Sequence, residues 1–97
     1  MNIDFSTKKG EIVFNEFSLE QNISLDKQQD SLKEDMLQVE FPGGYILDVG
    51  WRPSFDINGR FYIYLIKDFD WIAPVYNGNA GDIDSLVFEI NQALNKL

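Results

Sequence analysis

The sequence predicts one α+β domain over residues 1–97, an antiparallel β-sheet of about five or six strands with two helices, the second C-terminal. Three observations carry that reading. Several segments alternate apolar and polar residues with a period of two, the mark of a strand with one buried face. Strong turn signals, Pro42-Gly43-Gly44 and Asn58-Gly59, separate them. The C-terminal stretch instead spaces its apolar residues as a helix does. A chain of 97 residues supports one core, and a 44% hydrophobic content is enough to fill it.

In chain order, "NIDFSTKKGEIVFNEF" alternates on both sides of a polar Thr7-Lys8-Lys9-Gly10 and predicts a hairpin of Ile3–Phe5 and Ile12–Phe14. "SLDKQQDSLKEDM" spaces Leu25, Leu32 and Met36 as a short helix, with Ser24 or Asp26 as N-cap and Gln29 completing a box with Asp26. "LQVEF" turns Leu37, Val39 and Phe41 to one face. After the Pro-Gly-Gly turn, "YILDVGW" turns Tyr45, Leu47, Val49 and Trp51 inward and Asp48 outward. Pro53 lacks an N–H and predicts a bulge or bend. Asn58-Gly59 predicts a type I′ hairpin turn with positive φ, leading into "RFYIYLIK", apolar on both faces and suited to a strand covered on each side. "IAPVY" reads as a short edge strand because of Pro74, and "NGNAGD" as a loop. Asp82 then caps a helix with Ile83, Leu86, Val87, Ile90, Leu94 and Leu97 on one face.

Composition narrows the chemistry. The chain has no cysteine and no histidine, which removes disulfides, thiolate metal sites and the commonest general base and zinc ligand. Nothing in the sequence assembles a catalytic constellation, a metal site or a cofactor site, so the expectation is a protein that is not an enzyme. Sixteen acidic against eight basic residues give a net charge of −8, which disfavours direct contact with nucleic acid or anionic membranes and favours a basic partner. The absence of an apolar run of membrane-spanning or signal-peptide length gives a cytoplasmic expectation. From Asp68 to Glu89 the chain carries acidic residues and no Lys or Arg.

"LIKDFDWIAPVY" (65–76) concentrates the question of function. Asp68-Phe69-Asp70 has the D-x-D form of metal–diphosphate sites in sugar-nucleotide transferases, but such a fold needs a larger nucleotide-binding domain than this chain contains. Two readings remain. The aspartates either solvate a strand end, or they form a recognition surface with Phe69, Trp71 and Tyr76, residue types enriched at interface hot spots. Asp56 braces the turn before Asn58, and Asp82 and Asp84 oppose the positive end of a helix dipole; each could also add charge to a partner surface. Asp48, inside a strand, is expected to pair with Arg52 or Arg60 across strands, and Trp51 is expected in the core.

From Leu25 to the C-terminus, the segments Ile46–Trp51, Pro53–Gly59, Lys67–Trp71 and Pro74–Tyr76 resemble a pattern of "LLDVGW", "P-x-F-D-x-N-G", "KD-x-DW" and "PVY". That pattern is similar to small bacterial immunity proteins of contact-dependent growth inhibition and related polymorphic toxin systems. The resemblance implies a cytoplasmic antidote that binds the C-terminal domain of one cognate toxin, a basic nuclease, and blocks its active site or substrate surface. Contact residues diverge quickly in such families. The candidate partner-binding set, Asp56, Asp68, Asp70, Trp71, Tyr76, Asp82 and Asp84, therefore rests on residue chemistry. The alternative is a small structural or adaptor domain that works through a free sheet edge without a toxin partner.

Overall fold

A computed structural model describes residue 1 and residues 3–97. Five strands, β1 (Glu11–Asn15), β2 (Leu37–Phe41), β3 (Tyr45–Arg52), β4 (Arg60–Lys67) and β5 (Tyr76–Ala80), precede the helix α1 (Ile83–Leu94). They form one sheet in the order β1-β2-β3-β4-β5 with every neighbour antiparallel, so the chain runs as a meander with β1 and β5 at its edges. No helix among the described residues is long and apolar enough to cross a membrane.

The period-two alternation of β2 and β3 sets the core. Gly43 and Gly44, at φ 89° and 82°, make the turn between them, a conformation that a residue without Cβ reaches freely. The register of that hairpin, Phe41 opposite Tyr45, puts Leu37, Val39 and Phe41 on one face with Leu47, Val49 and Trp51. β4 adds Phe61, Ile63 and Leu65, and α1 lays Ile83, Leu86, Ile90, Ala93 and Leu94 over them. Trp51 is a core residue as expected, its ring edge-on to Phe61 at 4.8 Å. Leu19, Leu32 and Met36 carry the segment before β2 into the same core. Each fully buried side chain of this kind is worth about 1.5–3 kcal/mol, enough to hold a stretch with little regular structure.

Four local expectations fail, each for a visible reason. Ile3–Phe5 forms no hairpin strand. The Asp4 carboxylate accepts the backbone N–H (2.9 Å) and the hydroxyl of Ser6, which tightens the chain into a 3-10 turn over Ser6–Lys8; β1 pairs with β2 instead. The segment beginning at Leu25 is a 3-10 element, Leu25–Ser31, broken at Gln28, and not an α-helix reaching Met36. The Gln28 amide is committed to the preceding loop: it accepts from the Glu20 N–H at 2.7 Å and donates to the carbonyls of Glu20 and Ile23 at 2.9 and 2.8 Å. Ser24 makes no side-chain cap bond, and Gln29, far from closing a box, donates to the Phe55 carbonyl at 2.6 Å.

Asn58-Gly59 is not a type I′ turn. Residues 53–59 form a longer connection in which neither residue has positive φ and Phe55, at φ 62°, does; β3 ends at Arg52, before a cis Arg52–Pro53 peptide. Finally, the last strand is not "IAPVY" but Tyr76–Ala80, most of it expected as loop. Its small residues suit a strand beneath a helix: a Cβ on Gly78 would stand 2.8 Å from the Glu89 carboxylate of α1. Glycine here marks close approach, not a turn.

Candidate partner-binding site

β4 ends at Lys67, and the next three residues reverse the chain. Asp68 and Phe69 have φ of 53° and 60°, and the Asp70 N–H donates to the Lys67 carbonyl at 3.0 Å, closing a turn with two left-handed central residues. The Asp70 carboxylate then accepts from the N–H groups of Ile72 and Ala73, both at 3.2 Å, and the Val75 N–H returns to the Leu65 carbonyl at 2.8 Å. Residues 68–75 are thus a loop shaped by its own hydrogen bonds.

The apolar side chains of this loop face water. Phe69 is 75% exposed, Ile72 96%, Trp71 47% and Val75 42%. A large aromatic in the left-handed region costs the fold on the order of 1 kcal/mol, and leaving it exposed returns nothing through burial. Asp68 and Asp70, also exposed, flank the patch, while Lys67 lays its ammonium over the Tyr45 ring, 5.3 Å from its centre. The result is an apolar surface edged by carboxylates.

The predicted residues divide between the two ends of β4. Asp68, Asp70 and Trp71 stand together after Lys67, and Tyr76, opposite Leu65, begins the strand beside them. The Tyr76 hydroxyl is taken by the Glu89 carboxylate, which pushes its pKa up to about 12; it fastens β5 to α1. Asp56, Asp82 and Asp84 belong to the Arg60 end, about 23 Å away along seven strand steps. There Asp56 is half-buried and accepts the Trp51 indole N–H (2.7 Å) and the Gly59 N–H (2.8 Å) on its carbonyl and the Asn58 N–H (2.9 Å) on its carboxylate. Asp82 caps α1 by accepting the Ser85 N–H at 2.7 Å, which holds its carboxyl below the usual range. Asp84 accepts from the Gln21 amide at 2.7 Å. These three are occupied in building the fold and do not extend the 68–75 surface.

Ile72 and Val75 are members of the patch that the alternation of "IAPVY" hides, because the pattern reads as a strand. Pro74 is the signal: a residue without an N–H, preceded by two aspartates and a tryptophan, suits an exposed loop as well as a sheet edge.

The other unusual group is Asp48, which is 5% exposed and forms no ion pair with Arg52 or Arg60. It accepts from the Gln38 amide at 3.3 Å, and burial raises its pKa. Arg52 turns away to Glu34 (3.8 Å) and stacks over the Tyr62 ring, 4.1 Å from its centre; Arg60 donates to the Asn79 side chain at 2.9 Å. The Tyr62 hydroxyl donates to the Glu34 carbonyl at 2.7 Å, and burial together with the neighbouring Asp48 and Asp35 carboxylates raises its pKa. Among the described residues no three acidic side chains converge in a way that could hold a metal ion. Compared with protein-family models, curated proteins and solved structures, the chain matches none, so its functional reading rests on the chemistry of the 68–75 loop.

Proposed function

We propose that this chain is a non-enzymatic immunity protein that binds and neutralises a basic toxin domain, of the nuclease type delivered in contact-dependent growth inhibition, in the cytoplasm of the cell that makes it. The observation that carries the reading is Phe69: a 75% exposed aromatic held at φ 60°, unfavourable to the fold on two counts and useful to a partner. Beside it, Trp71 and Ile72 supply apolar area, Asp68 and Asp70 supply charge, and the loop's internal hydrogen bonds lower the ordering cost of docking. The net charge of −8 accelerates encounter with a basic surface.

The test uses the tagged chain as bait in its native host, beside the double variant Asp68→Asn with Asp70→Asn, which removes charge while keeping the oxygen that orders the loop. The expected result is a basic captured protein whose toxicity wild type relieves, with binding at least about tenfold weaker and less salt-sensitive in the variant. A toxin bound equally by both proteins would move the binding surface elsewhere. A captured partner without toxicity would end the immunity reading.

A further inference from the structure

The two edges of the sheet are unlike. β1 is guarded as sheet edges usually are: its register with β2 shifts between Ile12 and Phe14, a bulge, and Glu11 and Glu16 bracket it with charge. β5 has neither device. It pairs with β4 in unbroken register from Tyr76 to Ala80, and from Trp71 to Gly81 the sequence holds no charged residue. In a chain of net charge −8, the strand itself brings no carboxylate to that edge, and Glu89 of α1, which stands over Gly78, is engaged by the Tyr76 hydroxyl of its own copy.

The edge is also self-complementary. Its sequence, Tyr76-Asn77-Gly78-Asn79-Ala80, reads Asn-Gly-Asn about its centre. We propose that two copies of this chain pair antiparallel through β5 about a two-fold axis at Gly78, joining two five-stranded sheets into one of ten. The axis sets Asn77 of each copy opposite Asn79 of the other on the exposed face, and Tyr76 opposite the small Ala80 on the face beneath α1. Arg60 already donates to Oδ1 of Asn79 at 2.9 Å, so the N–H groups of that amide remain to donate to Oδ1 of Asn77 in the second copy. The same contact forms twice. Asp82 falls opposite Pro74 and stays at the rim. Five paired residues make a small interface, so the association is a weak one.

Sedimentation equilibrium of the full chain up to about 1 mM, a concentration at which an association worth only about 4 kcal/mol is visible, reads the dimer directly. The expected result is a mass approaching twice that of the chain for wild type and one chain mass for Asn77→Lys, with unchanged thermal melting. The added lysine lowers the net charge, so general repulsion cannot account for the loss, and lysine is a residue that blunts natural edges. Ile72→Ser, which removes the most exposed apolar side chain of the neighbouring loop, should leave the dimer intact. A wild-type protein that stays at one chain mass throughout, or a dimer that survives Asn77→Lys and is lost in Ile72→Ser, overturns the proposal.

Discussion

Asp68 sits on Gly44: its N–H donates to the Gly44 carbonyl at 2.9 Å, and its carboxylate fills the space where a Cβ at Gly44 would stand. The turn between β2 and β3 thereby seats the turn that starts the 68–75 loop. Gly44 also has φ 82°, so a side chain there meets both backbone strain and the Asp68 carboxylate. Gly44→Ala is expected to cost on the order of 1–2 kcal/mol in denaturant melts and to loosen the loop. Faster amide exchange at residues 68–75 than in wild type would show the second effect; a stable variant with an unaltered loop would show that Gly44 does not seat it.

Phe69 separates fold from function. Phe69→Gly places at φ 60° the residue that accepts it most readily and removes a ring that is mostly in water. The expected outcome is a gain of about 1 kcal/mol in stability, read by chemical denaturation. Affinity for the captured partner should fall in the same variant. A destabilised Phe69→Gly protein would mean that the ring packs in the fold, and would remove the main support for a recognition loop.

The parts of the fold legible in the sequence are those in which side-chain period and burial agree. Leu37, Val39 and Phe41 alternate and are buried, and Asp82 caps a helix whose apolar stripe faces the core. What escapes is what depends on a distant contact. Gln28 breaks a plausible helix because its amide is spent on Glu20 and Ile23, and nothing in local spacing announces that. β5 looks like a loop because the helix above it requires small residues. The site was half legible: two aspartates and a tryptophan at a strand end point to the loop, but that Ile72 is exposed follows only from where β5 begins.

Gly59 is required for space and not for φ. A Cβ there would meet the Arg52 carbonyl and stand 2.6 Å from the Trp51 indole nitrogen, which is already bonded to the Asp56 carbonyl. Gly59→Val should cost about 2 kcal/mol or more, while Lys8→Ala, on an exposed 3-10 turn, should stay within about 0.5 kcal/mol. Comparing Gly59→Ala with Gly59→Asn separates the two causes. Asparagine tolerates a left-handed backbone but is no smaller at Cβ, so both variants should be damaged alike. A stable Gly59→Asn beside an unstable Gly59→Ala would restore the type I′ turn.

Asp48 gives the fold a pH dependence whose sign can be worked out. Burial raises its folded pKa above the 3.8 of the unfolded chain, with the Asp35 carboxylate adding to the rise and the Gln38 hydrogen bond and Arg52 opposing it. Between those two values the folded state holds the proton that the unfolded state has lost, so this group's contribution falls as pH rises through that window. Above it, the cost of ionising a buried carboxylate is fully present. Asp48→Asn keeps an Oδ1 to accept from Gln38 and removes the charge. The variant should therefore be more stable than wild type at neutral pH, and the difference should shrink as pH falls below the folded pKa and vanish below about 3.8. Carboxylates with lowered pKa, such as Asp4 and Asp82, destabilise both proteins in acid and cancel from the comparison. Urea melts of the two proteins across acid to neutral pH make the measurement. A variant less stable at neutral pH would mean that the Gln38 hydrogen bond and the more distant attraction of Arg52 outweigh the burial of the ionised carboxylate.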